Sequence, residues 1–564
     1  MSDEKLVANP STKKKIGFFS AILIVLGGSI GAGIFLRSGK VLNASGGNLI
    51  WAIAMWLIAG FAVVTMALGL VEVASGRNDN LGMIGWAKAF NTLKIYKAVK
   101  FFMTYLYLPF TYFFMPYYVI VQFQDGFGAF KIDTTFGGSK AAPWFYFIIG
   151  LGLTLWMVFS AGISSRAGNI QNWIVTAVKF IPLVAVTVIG FAYFGVQLSK
   201  NQGPVAGKTY LDLVKQLNLF DKTSTSFLGL SPFLGIFSAL GGIFFAFDGF
   251  YVTAGVQSEM KNPEKTPAAL TIGLFTMTFI YIIIAVAMTL GAGSGGFYEF
   301  GDKLANDKFG WVFGIINICI AIGIIGILNG FTMWASRWVE DLIKEGEIWV
   351  PTSVYKYMKN SKMPLVGSLY VLFLSLPFMI IFTAIGAYAY VPLWGTTSYG
   401  HRIDQLLSFS DLMANWMAIF AFAFISMSIV GALQNRKKHF IAVTENKHTK
   451  WAGLTAVIMI LTVMGFYVLD PFISLGINLG QYGQGNARAY DGIISNAATS
   501  ILFIIFCFIS FFGGTFEKMV ADKRQAKYTK LLASSTLSAK EREEIMIGKE
   551  LNDLILKTYA EARK

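Results

Sequence analysis

Residues 27–33 read Gly27-Gly28-Ser29-Ile30-Gly31-Ala32-Gly33, four glycines in seven positions, inside the apolar stretch Ile16 to Leu36. Glycine costs a helix up to about 1 kcal/mol per residue relative to alanine, so a helix carried through this segment can open locally. The surrounding stretch is long enough to cross a bilayer, which takes roughly 20 apolar residues for about 30 Å of hydrocarbon. Two readings of the glycines stand side by side. They let two helices pack closely through small residues, or they free backbone amides in mid-membrane for a ligand. A second segment bears on the choice: Gly241-Gly242, followed by Phe244-Phe245-Ala246-Phe247-Asp248-Gly249.

The rest of the chain is built to the same specification. Its 564 residues are 55% hydrophobic and only 14% charged, with a mean hydropathy of +0.59. A soluble chain carries about 25% charged residues. Twelve apolar segments follow one another, at about 16–36, 48–71, 98–124, 143–161, 169–195, 230–257, 268–291, 309–334, 365–388, 407–432, 450–469 and 490–514. Each is expected to be an α-helix, because backbone in lipid must satisfy its own hydrogen bonds. The organisation predicted is a tail over 1–15, a membrane domain over 16–514 and a charged tail over 515–564. The first stretch exceeds a signal-peptide core and lacks a small-residue cleavage site, so it reads as the first span.

Most of the 46 Lys and Arg fall on one side of these spans, among them Lys13, Lys14 and Lys15, the loop with Arg436, Lys437 and Lys438, and the C-terminal tail. Positive residues stay cytoplasmic, which puts both termini inside, in a multi-pass protein of the cell membrane. The net charge of +15 thus reflects topology and no nucleic-acid partner is expected. Cys319 and Cys507 lie within apolar runs and read as packing residues. His401, His439 and His448 all lie outside them, so no metal and no cofactor is expected. The spans carry no nucleophile–base pair, which argues against an enzyme.

Spans one and six are corresponding members of two five-helix halves, leaving spans eleven and twelve outside. Glycine-interrupted spans at matching positions point to a binding site between inverted repeats. In the tail, Ser538 and Glu541 form a capping box, with Ile547, Leu551, Leu554 and Ile555 at helical spacing behind it. An amphipathic helix is expected there, read as a solvated tail, with docking or regulation as the alternative.

Four stretches make the chain similar to the amino acid–polyamine–organocation superfamily, whose members share the leucine-transporter fold. These are Gly28-Ser29-Ile30-Gly31-Ala32-Gly33-Ile34-Phe35; Ala246-Phe247-Asp248-Gly249-Phe250 with the later Glu259-Met260-Lys261-Asn262-Pro263-Glu264-Lys265; Gln171, Thr176 and Lys179; and Ser336-Arg337. The resemblance covers roughly residues 16–350. It departs at Asp79-Asn80-Leu81-Gly82-Met83-Ile84-Gly85-Trp86, where the family has Gly-Gly-x-Tyr. The resemblance implies an all-α membrane fold, a 5+5 inverted repeat plus two helices, and transport of amino acids by alternating access.

A bound amino acid presents a carboxylate and an ammonium. Amides near Ser29, Gly31, Ala32 and Gly33, at the start of a half-helix, suit the carboxylate. Carbonyls around Phe245, Ala246 and Asp248 suit the ammonium. Phe245 or Phe247 is placed to gate the site, and each reads equally as a packing phenylalanine. Tyr105, Tyr107, Tyr112, Tyr117 and Tyr118 of span three, with Thr104 and Thr111, are read either as pocket lining or as interfacial anchors. Lys179 lies about ten residues into span five, where an unpaired ammonium costs several kcal/mol. The resemblance implies a proton-coupling role there; the alternative is a side chain snorkelling to the interface. Spans one, three and eight hold no acidic residue at depth, which favours neutral or apolar amino acids, although Asp248 works against that preference. Exchange, polyamine transport and a non-transporting amino-acid sensor remain open readings, and the oligomeric state is unread.

The charge asymmetry makes a direct prediction. In a cysteine-free background, a membrane-impermeant maleimide added outside intact cells should label Lys208→Cys and miss Lys438→Cys; the reverse pattern would invert the topology.

Overall fold

The computed structural model describes residues 17–29, 31, 33–77, 81–204, 209–215, 235–251, 261–262, 265–293, 295–361, 363–391, 399–487, 489–533 and 537–561. Among them the chain is helical and contains no strand. The helices are α1 (Phe18–Ser29), α2 (Gly33–Ala44), α3 (Leu49–Ser75), α4 (Met83–Phe90), α5 (Leu93–Phe102), α6 (Leu108–Ala129), α7 (Ala142–Met157), α8 (Ser165–Ser199) and α9 (Gly235–Phe247). They continue as α10 (Thr266–Ala292), α11 (Phe297–Asn306), α12 (Gly310–Lys344), α13 (Thr352–Asn360), α14 (Leu365–Ala384), α15 (Ile403–Lys438), α16 (Thr449–Gly483), α17 (Ala489–Leu532) and α18 (Ala539–Glu561).

Nine continuous helical stretches among the described residues are long and apolar enough to cross a membrane. Expected spans one, three and six are not in that set; spans one and six are interrupted, whereas span three is continuous helix. Span one divides into α1 and α2. Span three, expected over 98–124, begins within α5 beyond Lys97 and continues through a π-helical turn, Met103–Tyr107, into α6. Span six ends as α9 at Phe247 and turns at Asp248-Gly249. The count of twelve thus depends on reading spans one and six across their breaks and on counting span three with the nine.

Packing places the broken helices at the centre. α2 lies on α9, α1 lies on α10, and α10 packs against both α3 and α8. A second group, α6, α12 and α14, packs together, with α8 also against α12. α15 touches α4, α6, α9 and α16 and is the most enclosed of the nine, 83% of its most apolar window being buried. The perimeter carries large apolar side chains such as Trp173, Phe275 and Phe373, all more than half exposed. In lipid such a surface is at home. Close helix approach through small residues also occurs: a Cβ on Gly190 of α8 would stand 2.5 Å from the Ala287 carbonyl oxygen of α10.

Two details extend the sequence reading. α17 continues far beyond residue 514, so the last span and the start of the tail are one helix of 44 residues. The tail helix α18 packs against α17 and α13 with Leu551, Asn552 and Ile555 buried. It is thus a docked element, which corrects the expectation of a solvated tail. Its N-terminus has the expected capping box, with Ser538 N–H donating to Glu541 Oε2 at 2.9 Å and Glu541 N–H donating to Ser538 Oγ at 3.3 Å.

Candidate functional site

α1 stops at Ser29 and α2 starts at Gly33, with Gly31 in a bend between the two half-helices. On span six, Gly249 has φ +92°, a conformation that glycine adopts without steric cost, and Asp248 and Gly249 form a turn after α9. The two interruptions meet. A Cβ on Gly33 would lie 2.9 Å from both the Cα and the Cβ of Ala246. The start of α2, the positive end of its dipole, therefore abuts the negative C-terminal end of α9.

A cavity of about 580 Å³ opens beside this contact. Gly31, Gly33, Phe245, Ala246 and Asp248 all line it, as do Tyr107 and Thr111 of the third span. Ile324, Ile327 and Phe331 of α12 supply an apolar wall. Ser29 is the last residue of α1; Ala32 lies outside the described residues. Phe247 is not among the lining residues. It is fully buried and meets the Tyr281 ring edge-on at 5.4 Å. Lys179 is not among them either: it is 8% exposed on α8, against α12 at Gly323, one residue from the lining Ile324.

The polar partners are specific. Asp248 Oδ2 accepts from the Tyr107 hydroxyl at 2.9 Å and Oδ1 accepts from Gly249 N–H at 3.0 Å. Tyr251 in turn donates to the Tyr107 hydroxyl at 2.7 Å. Tyr107 belongs to the π turn of span three, and such turns recur at functional sites. The carbonyls expected for an ammonium are already partly engaged. Phe245 O accepts from Asp248 N–H at 3.1 Å, and Ala246 O accepts from the Tyr281 hydroxyl at 3.0 Å. Each keeps one lone pair, and the Asp248 carboxylate adds a formal charge beside them.

One end of the cavity is shut by residues that the sequence reading passed over. Arg37 of α2 and Asp411 of α15 form an ion pair at 2.6 Å, with side-chain exposures of 2% and 15%. Lys40 reaches the same Asp411 oxygen at 2.6 Å, and the Tyr118 hydroxyl donates to the other at 2.8 Å. The Arg37 guanidinium lies 5.2 Å from the centre of the Phe245 ring, which itself lines the cavity. The cavity also reaches Ser20 and Leu23 of α1 and Asn172 and Trp173 of α8. Leu23 and Trp173 are well exposed. The ion pair lies behind Phe245 on the α2 side, and the cavity extends to the perimeter between α1 and α8. A signal for the seal was present in the sequence: Asp411 is an acid inside span ten, and an intramembrane charge calls for a named partner.

Two interrupted helices meeting at a cavity in a polytopic helical bundle define a secondary transporter of the alternating-access class. The chain belongs to the amino acid permease family, whose family model matches residues 16–512; its fold and family are those of transporters, not enzymes. It is 40% identical over 536 residues to an uncharacterized protein of Mycoplasma pneumoniae, covering 88% of this chain and 93% of that one. It is 25% identical over 329 residues to the serine/threonine exchanger SteT of Bacillus subtilis, covering 56% of this chain and 65% of that one. Among solved structures, MhsT in complex with L-phenylalanine aligns with 79% of this chain and 98% of its own at 15% identity and a TM-score of 0.49.

The Gly33 contact generates a prediction. Valine at this position must push α2 away from the backbone of α9, so Gly33→Val should abolish amino-acid binding to purified protein while the elution profile stays that of the folded monodisperse wild type. Unchanged affinity would remove the half-helix junction from the site.

Proposed function

We propose that the chain carries neutral amino acids across the cell membrane by proton-coupled alternating access, with both termini in the cytoplasm. One observation carries the substrate reading: a half-helix N-terminus, a half-helix C-terminus and a carboxylate converge on one cavity. A zwitterion is the charge pattern that this arrangement complements. The amides of Gly31 and Gly33, which line the cavity, face the substrate carboxylate. The Asp248 carboxylate, with the remaining lone pairs at Phe245 and Ala246, takes the ammonium. The side chain then lies against Phe245, Ile327 and Phe331, which suits an apolar residue.

Phe245 is the gating aromatic in this reading, because it separates the cavity from the Arg37–Asp411 pair, whereas Phe247 fills the core against Tyr281. The sealed end is external and the open end, between α1 and α8, faces the cytoplasm. The described conformation is then the inward-open one. Opening to the outside requires Arg37 and Asp411 to part. Removing one member of a buried pair costs about 3–5 kcal/mol, since the other charge stays buried alone. Asp411→Asn should therefore weaken the external seal. Labelling of a cysteine at Thr111 by an impermeant maleimide from outside should rise several-fold over the same cysteine in the Asp411 background; an unchanged rate would assign the seal elsewhere.

Coupling is assigned to Lys179. Its side chain is buried between α8 and α12, next to the cavity wall, where gain or loss of a proton shifts the balance between the two conformations. A coupling of about 1–3 kcal/mol is typical between linked sites. The test is uptake by purified protein in liposomes, across a panel of amino acids, with and without an imposed pH gradient. Lys179→Met should abolish gradient-driven accumulation and leave equilibrium binding measurable. Accumulation that keeps its dependence on the gradient in Lys179→Met would transfer the role to Asp248. Binding without any uptake in the wild type would make the protein a sensor.

A further inference from the structure

At the face that carries the C-terminal helix, five charged side chains from four elements are buried together. They are Lys88 of α4, Lys97 and Lys100 of α5, Glu347 in the turn after α12, and Glu517 of α17; none exceeds 14% exposure. Lys100 Nζ lies 2.6 Å from both oxygens of Glu517. Lys88 and Lys100 approach Glu347 at 3.2 and 3.6 Å, and Tyr96 donates to Glu347. Lys97 is the third amine against two carboxylates, 3.5 Å from Glu347 and 3.6 Å from Glu517.

Lys97 is also where α18 joins the transport core. Its Nζ donates to Thr558 Oγ1 at 2.6 Å and lies 3.9 Å from the centre of the Tyr559 ring. Tyr559 donates to Glu517 at 2.6 Å and to the Gly514 carbonyl at 2.7 Å. Further along α18, Asn552 donates to the Ala521 carbonyl at 3.0 Å, and Ile555 is fully buried. Gly346, at φ +71°, is close enough to α18 that a Cβ there would stand 2.6 Å from the Leu554 carbonyl carbon. The rim is held by half-exposed pairs, Lys356–Glu543 and Lys359–Glu550, both at 2.6 Å.

We propose that α18 is a releasable strap on the transport core, and that protonation of Lys97 loosens it. With Lys97 neutral, two amines meet two carboxylates; with Lys97 charged, the buried cluster holds a net positive charge that water would otherwise solvate. Burial, reinforced by the neighbouring Lys100 charge, pulls the Lys97 amine from 10.5 to about 7. Burial acts to raise the Glu347 carboxyl, but Lys97, Lys100 and Lys88 outweigh it and hold Glu347 below its ordinary value, so Glu347 stays charged across this range. The sign follows from linkage. Releasing α18 exposes Lys97 and returns its pKa toward the ordinary lysine value, so the released state binds the proton more tightly. The strap is firmest at alkaline pH, weakens as pH falls toward about 7, and gains no further sensitivity below it. The topology proposed above enters only in saying that cytoplasmic pH is the one sensed.

Hydrogen exchange of peptides within 539–561, in the full-length protein in lipid nanodiscs and corrected for intrinsic rates, tests this. Between pH 8.5 and 7.0 the protection of α18 should fall, by at most about tenfold per pH unit. Lys97→Met and Lys97→Gln, which leave no amine to titrate, should make protection the same at both values. Lys356→Ala should lower protection equally at both, because its partner Glu543 stays charged throughout. PH-independent protection in the wild type, or a pH dependence that survives in both Lys97 variants, would overturn the proposal.

Discussion

Backbone hydrogen bonding in hydrocarbon is the constraint from which the rest of this structure follows. An opened helix is tolerated in a membrane only where its freed groups face a cavity or other protein. Spans one and six are both opened, and each covers the other: Gly33 backs onto Ala246 closely enough that no side chain fits between them. The cavity lies beside that contact, lined by Gly31 and Gly33 from one break and by Ala246 and Asp248 from the other. Asp248 is held in place by the same junction, through Gly249 N–H on its own turn and the Tyr107 hydroxyl from the π turn of span three.

Buried charge obeys a parallel rule, and it divides the molecule into two ends. Toward α2, Arg37 and Asp411 tie a half-helix to α15 across the cavity. At the other end, Glu72 at the close of α3 accepts from two nitrogens of Arg436 at 2.9 and 2.5 Å, while Lys97, Lys100, Glu347 and Glu517 join α5, α17 and the segment after α12. The pair near α2 crosses from a half-helix to a continuous one and must break if α2 is to move. The links at the other end join continuous helices to one another and to α18. Near α2 one carboxylate, Asp411, gathers Arg37, Lys40 and the Tyr118 hydroxyl, whereas at the other end the contacts are spread over several helices.

Most of the architecture was legible from composition and hydropathy. Every expected span coincides with helix among the described residues, and the glycine segment of span one is interrupted where its glycines cluster. Of the residues proposed for the site, Gly31, Gly33, Phe245, Ala246 and Asp248 line one cavity. Phe245 and Phe247 could not be told apart by sequence, because residues two apart on a helix point in different directions, and which of them faces the cavity depends on how α9 is rotated. Tyr107 was one polar residue of span three among several; the π turn that aims it at Asp248 leaves no mark in hydropathy.

The amino-acid sequence by itself determined the solvent of this chain, its helical class and the places where helices can open, because those properties depend on local side-chain chemistry and glycine content. Tertiary structure decided what meets what. Arg37 and Asp411 are separated by 374 positions in the chain, and Lys97 and Thr558 by 461. Neither pair has a local signature, since an ion pair or a hydrogen bond between distant segments exists only once the helices are packed. For the same reason the tail, amphipathic on sequence grounds, became a docked helix only when α13 and α17 supplied the surface that buries Leu551 and Ile555.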